Sequence, residues 1–513
     1  MGNYAGIDLG TTFSAIAMLN SIGKPEIVPN STGERITPSA VWFDDGNEVV
    51  VGNIAKNNRG LEVDRVITEI KRKMGDSEFR FTVGSKDWSP EEISSLILSK
   101  LKKDCEQVSG ELSKVVITVP AYFDEKRRKA TMDAGKIAGL DIIGIINEPT
   151  AAALFYATNH DISGKVLVFD LGGGTFDVTV MEVNGNKIDI ICSHGDHNLG
   201  GIDFDNEIIN LMDKQYDIKN GGKLIREDID RNKYLNDAEE IKKTLSNRDK
   251  ARAFVDGPNG SLKVEISKDD FEQAISSLVA KSEMLVEAAL DEAELSPKEI
   301  TNVLLVGGSA RIPYVQNRLS KIFGFAPKIE VNVDECVALG AAIHAGLKAI
   351  QDDSQKVPEG ISGGLSDIKL KDVCNHSYGT IAVTLDPHTG KPISSNTIII
   401  KKNTPIPCKE TTTFYTLFDN QESVDISVTQ GESEDPDYVE LIHEQQMELP
   451  PNMPANRPVE FAYSYDDNQR MHCTFKDIES DRIKEVKLTR SGDTFDAEAI
   501  ERSKANLDSF IIE

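Results

Sequence analysis

From the N-terminus to about residue 350, short apolar runs rich in β-branched residues alternate with stretches of helical spacing. Residues 115–119 (Val-Val-Ile-Thr-Val), 166–169 (Val-Leu-Val-Phe) and 303–306 (Val-Leu-Leu-Val) have the length and content of buried strands. The helices between them carry their own punctuation. Ser89-Pro90-Glu91-Glu92 supplies an N-cap, a proline at the first helical position and a glutamate at the third. Ile93, Leu96, Ile97 and Leu101 then fall on one face. A longer pattern starts near Ser267 and runs through Phe271, Ile275, Leu278 and Leu285. Such alternation predicts an α/β architecture. Within it, Asp8-Leu9-Gly10-Thr11-Thr12 recurs as Asp170-Leu171-Gly172-Gly173-Gly174-Thr175, each directly after an apolar strand. The repeat predicts two related halves whose turns face one another across a cleft.

The texture changes at Gln351. Residues 351–372 are polar and glycine-containing, with Pro358, Gly360, Gly363 and Gly364, and predict a flexible linker between a 1–350 domain and a second domain. Residues 397–400, 411–415, 424–428 and 459–465 then predict short strands separated by turns, an all-β module over 373–490. Helical spacing returns weakly between Phe495 and Phe510, so 491–513 reads as a short helical tail.

At 513 residues the chain is too long for one core, which agrees with this division. Its net charge of -27 makes phosphate backbones and anionic lipid poor partners, so neither nucleic acid nor membrane is expected. Any nucleotide site must build its own positive field. The six cysteines are dispersed, without a CxxC pair, which argues against a disulfide framework or structural zinc and for a reducing cytoplasm. The first residues lack the basic and apolar regions of a signal peptide, and Gly6 stands where a myristoylation motif needs Ser or Thr.

The paired glycine turns carry the chemistry. Glycine lets backbone N–H groups close on phosphate oxygens, and threonine hydroxyls donate to the same oxygens. Asp8 and Asp170 can hold a hydrated magnesium ion against them. One such turn is commonly a tight bend; two copies, each with its aspartate, favour the phosphate site. Gly307-Gly308-Ser309-Ala310-Arg311 reads either as a strand–helix turn or as a nucleoside seat in which Arg311 stacks on a purine. Glu148, at a predicted helix start, is either a macrodipole-favoured acid or a group that orders an attacking water.

These motifs occur in sequence with others: Val119-Pro120-Ala121-Tyr122-Phe123, residues 133–140, residues 146–153, Leu199-Gly200-Gly201 with Asp203-Phe204-Asp205, and residues 334–342. Together they resemble the seventy-kilodalton heat-shock (DnaK-like) chaperone family over essentially the whole first domain. The resemblance implies an actin-like, two-lobed ATPase followed by a β-sandwich that grips extended apolar peptide, with a truncated helical lid. It implies that Asp8 and Asp170 hold magnesium through water and that Gly10, Thr11, Thr12 and Thr175 surround the phosphates. Lys71 then lies near the γ-phosphate, and Glu148 orders the water. Gly172, Gly173 and Gly201 line the phosphate path. Glu239, Lys242, Ser246, Gly308, Ser309, Arg311 and Asp334 form the ribose and adenine pocket. Pro120 and Arg128 relay the nucleotide state. A J-domain co-chaperone and a nucleotide-exchange factor are implied as partners.

Beyond the linker, residues 402–407, 419–421 and 428–432 resemble the family's peptide-binding sandwich, with Phe414, Val424, Ile426 and Val428 at its apolar pocket. The residues alone read equally as plain β-core. Two lysines, Lys369 and Lys371, interrupt the linker's apolar patch, and the 378–391 stretch departs from the family pattern. Rival readings are an actin-like sugar or small-acid kinase, a polymerising actin-like protein, and an ATP-dependent scaffold with one dedicated partner. Two further clusters invite metal readings: Cys192 with His194 and His197, and the acidic run 432–435. A loop and a solvated turn explain them more simply.

Overall fold

A computed structural model describes residues 3–44, 46, 48–112, 114–160, 162–329, 332–353, 357–385, 390–467, 471–487 and 495–513. The chain divides into two compact units: residues 1–123, 127–370 and 497–513 form one, and residues 124–126 with 371–496 form the other.

The first unit holds two larger mixed sheets built to one plan. In one, Tyr4–Asp8 pairs in parallel with Lys114–Val119 and antiparallel with Phe13–Leu19; Ile142–Asn147 and Pro25–Ile27 flank them. In the other, Gly164–Leu171 pairs in parallel with Ile300–Val306 and antiparallel with Phe176–Asn184, and Lys187–Asp196 lies beyond the latter. The repeated Asp-Leu-Gly segments are therefore the hairpin turns of two equivalent sheets. Their central strands are buried throughout, which is why the sequence shows apolar runs there rather than alternation.

Two alanine-rich helices, Glu148–Asn159 and Cys336–Asp353, pack on each other, the second against the first sheet. They approach until a Cβ at Gly340 would lie 1.7 Å from the Ala151 carbonyl oxygen, so only glycine fits that crossing. The expected helix after Ser89 spans Pro90–Ser109 with its capping box complete: Glu92 N–H donates to Ser89 Oγ at 3.2 Å, and Ser89 N–H to Glu92 Oε2 at 3.1 Å. The long pattern after Ser267 forms Lys268–Glu292 and buries Phe271 and Ile275 beside helices Gly201–Asn220 and Leu235–Leu245.

Much of the expected flexible linker is folded. Glu359–Leu365 is a helix that buries Ile361 and Leu365, and Lys369–Lys371 adds a strand to the second sheet, Lys369 N–H donating to Asn186 O at 2.8 Å. Apolar residues spaced through the glycine-rich text supply enough burial to order it; 354–356 lie outside the described residues. Strand alternation leaves Lys369 exposed while Leu370 is half-buried, so the interrupting lysines need no buried partner. The tail is also more than a stub. Helix Ala497–Leu507 leads to Ile511–Ile512, a strand of a small peripheral sheet with Glu48–Val51, Ala40–Phe43 and Val66–Thr68.

The second unit is two four-stranded antiparallel sheets. Pro392–Ile400, Tyr378–Leu385, Ser423–Gln430 and Glu440–Glu448 make one; Cys408–Tyr415, Pro458–Tyr465, Met471–Asp477 and Arg482–Lys487 make the other. One apolar core includes Tyr463, Phe461 and Phe475. A bidentate Arg457–Asp477 pair, at 2.7 and 2.6 Å, is almost wholly removed from solvent.

Candidate functional site

The two hairpin turns of the first unit meet in a cleft of about 660 Å³, within the range of small-molecule sites. Close backbone approach sets its floor. A Cβ at Gly173 would lie 2.2 Å from Thr12 Oγ1, and one at Gly174 2.4 Å from Thr11 Cγ2, so the glycines of the second turn let it seat against the threonines of the first. Of the first-unit residues expected to bind or turn over nucleotide, all but Gly201 line this space. Gly201 sits just behind it: its carbonyl accepts from Lys242 Nζ at 2.9 Å.

At the deep end, the Lys71 ammonium is hydrogen-bonded to the Glu148 carboxylate and is only 3% exposed. Lys71 arrives on a single turn, Ile70–Lys73, after Glu69 takes a left-handed conformation with φ 63°. Glu148 heads its helix, where the dipole favours an acid. Three aspartates surround the pair. Asp8 opens on the cleft and accepts from Thr118 Oγ1 at 3.1 Å; enclosure by protein, then the Glu148 charge, pushes its carboxyl up to about 7 despite Lys71. The same two causes push Asp170 well above the usual carboxylate range. Asp177 is raised to about 8 by burial and by Glu148, although Tyr122 N–H donates to it at 3.2 Å. Burial and mutual repulsion thus act together, with the Lys71 ammonium set among four carboxylates.

That surplus of negative oxygen fits a hard divalent cation. Among the described residues no three His, Cys, Asp or Glu side chains close directly on one metal position. Asp8 and Asp170 accordingly suit magnesium held through its waters, as this ion prefers.

The shallow end has different chemistry. Glu239, Lys242 and Ser246 descend from helix Leu235–Leu245 and its C-cap. Lys242 is fixed by Asp205 at 2.8 Å, and Ser309 Oγ donates to Gly172 O at 2.9 Å, tying the Gly308–Arg311 turn to the second glycine turn. Arg311 is held by Asn332 at 2.9 Å and Asp334 at 3.0 Å, its half-exposed guanidinium plane at the rim.

Sequence reasoning missed Lys56, Arg59, Glu69 and Asp177. Lys56 crosses the cleft mouth to Glu239 at 2.6 Å, and Lys243 reaches the same carboxylate at 3.0 Å. Burial would raise Glu239, but these two ammonium groups outweigh it and hold the carboxyl down at about 2. Helix Asn53–Asn58, which carries Lys56, has no motif to announce it. Asp177 lies two residues beyond the Asp170–Thr175 motif, and only folding brings it beneath Tyr122.

The residues expected to relay nucleotide state lie behind the cleft, one hydrogen bond from Asn147. Arg128 is buried and donates to Ala121 O and Phe123 O, each at 3.0 Å, and to Asn147 Oδ1 at 2.8 Å, the residue before Glu148. The segment containing Pro120 is thereby bonded to the site at both Asp177 and Asn147.

In the second unit, Ile426 and Val428 are fully buried in the core, while Phe414 and Val424 are half-buried at its margin. As the unit stands, only the latter two offer surface to a peptide. Part of the divergent 378–391 stretch, 386–389, lies outside the described residues. Neither suspected metal cluster assembles: Cys192 is buried against the Ala289 carbonyl, and His194 pairs with Glu292. In the acidic run, Glu432 accepts from Ser377 N–H at 2.9 Å and Asp435 caps the turn Pro436–Tyr438. No helix among the described residues is long and apolar enough to cross a membrane.

Comparison with protein families agrees with the arrangement from one end of the chain to the other. The family model described as Hsp70 protein matches residues 4–82 and 76–511. With its glycine turns, its Lys71–Glu148 pair and its β-rich second unit inside that match, the chain belongs to the Hsp70 family of ATP-binding chaperones.

Proposed function

We propose that this chain is an ATP-dependent chaperone in which an actin-like first unit binds and hydrolyses ATP, and thereby sets how tightly the β-rich second unit holds extended apolar polypeptide. The observation that carries the reading is the buried Lys71–Glu148 pair between two Asp-Gly-Thr turns.

Phosphoryl transfer to water asks the protein for positioning and charge. Thr11, Thr12 and Thr175 and the N–H groups of both turns hold the phosphate chain. Lys71 has three donor protons; one is spent on Glu148, and the others point the charge at γ-phosphate oxygens as negative charge grows there. Glu148, fixed by Lys71, accepts a hydrogen bond from the attacking water and aligns it in line with the leaving oxygen. Asp8 and Asp170 would hold magnesium, which would supply positive charge against the phosphates. Lys56 and Glu239 close the mouth of the cleft.

Glu148 neighbours Asn147, and Asn147 is bonded to Arg128. A shift of Glu148 on hydrolysis is therefore felt in the Pro120–Phe123 segment, the route by which nucleotide state leaves the site. A J-domain partner and an exchange factor fit this cycle, as does a reducing cytoplasm, given six dispersed cysteines without a CxxC pair.

The test is the dissociation rate of a fluorescent extended apolar peptide from the full chain with ATP and with ADP. The reading expects faster release with ATP. Identical rates would leave two uncoupled units and favour a scaffold with one dedicated partner.

A further inference from the structure

The tail makes a set of contacts that a loose end does not need. Ser503 Oγ donates to Glu92 Oε1 at 3.0 Å, and Leu507 is buried. The Phe510 ring then meets Trp88 edge-on at 5.3 Å between centroids. The Lys86 ammonium lies 3.3 Å from the Trp88 centroid and 5.2 Å from that of Phe510, and it has no hydrogen-bond partner among the described residues. It is a cation held by aromatic faces. Beyond Phe510 the backbone runs parallel to Glu48–Val51, with Ile511 opposite Glu48 and Ile512 opposite Val49. Glu513 N–H donates to Val49 O at 2.9 Å, Val51 N–H to Glu513 O at 2.8 Å, and Lys103 Nζ to Ile512 O at 2.8 Å.

Every receiving group belongs to residues 43–103: a strand edge that no other described strand covers, an aromatic wall of Phe43, Phe81 and Trp88, and two lysines. The occupant is complementary. Residues 508–513 carry Asp508 and Glu513 and no cation, with one aromatic and two branched aliphatic side chains between them. The paired strand is short, two residues with Ile511 56% exposed, and so a shallow seat. This is strand addition to a sheet edge, with main-chain bonds for affinity and side-chain seats for choice.

We propose that the edge of Glu48–Val51 is a peptide-binding slot for an acidic segment in which an aromatic residue on a turn is followed by two branched aliphatics that pair as a strand. The chain's own residues 508–513 fill it in cis. The slot stands independently of the nucleotide reading.

The chain has two tryptophans, so Trp42→Phe leaves Trp88, in the slot wall, as sole reporter in the full-length protein. Adding Phe510→Ala with Glu513→Pro removes the edge-on ring and one backbone donor. Trp88 emission is expected to move to the red and become more open to a neutral quencher. A capped, amidated peptide of residues 506–513 is expected to reverse this saturably, whereas a scrambled peptide does not. The unaltered tail should resist the peptide until it nears the effective concentration of a tethered segment, on the order of millimolar. Phe510→Ala alone, a change at a half-buried tip, guards against a folding defect in the double variant. Unchanged emission in both variants would overturn the seating of the tail. Failure of the peptide to restore emission would overturn the slot as a binding site. Emission that varies with protein concentration alongside dimer formation would assign the occupant to a second copy and overturn binding in cis.

Discussion

Replacing Lys71 with alanine removes the ammonium that stands among Asp8, Glu148, Asp170 and Asp177. The loss acts in two places, with different size. In the proposed reaction, the lost donor would face developing charge inside a protein-walled cleft. Deleting a comparable donor costs about 10²–10³ in rate, roughly 2.7–4 kcal/mol of barrier. In the resting protein, Glu148 loses its partner. An orphaned buried ion costs roughly 3–5 kcal/mol, but here the neighbouring aspartates, whose burial-raised carboxyls Lys71 helps to lower, relieve it by taking up protons. The stability loss should therefore be smaller than the catalytic one. The assay is phosphate release in a single turnover at saturating magnesium-ATP, with ATP affinity measured separately by equilibrium binding. Affinity should change little and the rate should fall by the stated factor. A rate within about threefold of the parent, ~0.7 kcal/mol, would refute Lys71 as a transition-state contact.

The Lys56–Glu239 bridge spans the cleft mouth, so Glu239→Gln should speed release of a fluorescent ADP about tenfold, equivalent to ~1.4 kcal/mol; an unchanged off-rate in stopped flow would dismiss the clamp. Asp177 has its folded pKa raised to about 8, so the native state binds the extra proton and stability falls as pH rises from near 4 to 8. Asp177→Asn, which keeps an acceptor for Tyr122 N–H, should flatten that part of the melting-temperature profile without magnesium; an unaltered slope counts against it. In the second unit, Arg457→Met should cost about 3–5 kcal/mol in urea unfolding, and Arg457→Met with Asp477→Leu should recover most of it. Burial alone would raise Asp477, but Arg457 and Ser480 outweigh it and hold it low. Its contribution is therefore present above the ordinary carboxylate range and lost as pH falls, and the double variant should lose that acid sensitivity.

The site was legible where chemistry is carried by short contiguous motifs. Asp8 to Thr12, Asp170 to Thr175 and Gly308 to Arg311 announce glycine turns after strands, and those turns converge because two sheets share one plan. Lys56 and Asp177 were not legible as site residues. Each gains its role only from a partner far along the chain, Glu239 for one and Tyr122 for the other. The linker misled because its polar residues, with Pro358 and three glycines, read as flexible, whereas Ile361 and Leu365 determine that it packs. The strand at Ile511–Ile512 has too few residues for any period to show. Alternation along 424–428 marked Ile426 and Val428 as sharing a face, but could not distinguish a groove from a core.

The central claim, that ATP chemistry in the first unit answers to polypeptide held by the second, is tested most directly by single-turnover ATP hydrolysis with and without an extended apolar peptide. The account predicts that saturating peptide accelerates phosphate release and that Lys71→Ala lowers both the basal and the stimulated rate by about 10²–10³. Hydrolysis that proceeds at one rate whether or not peptide is bound would contradict it.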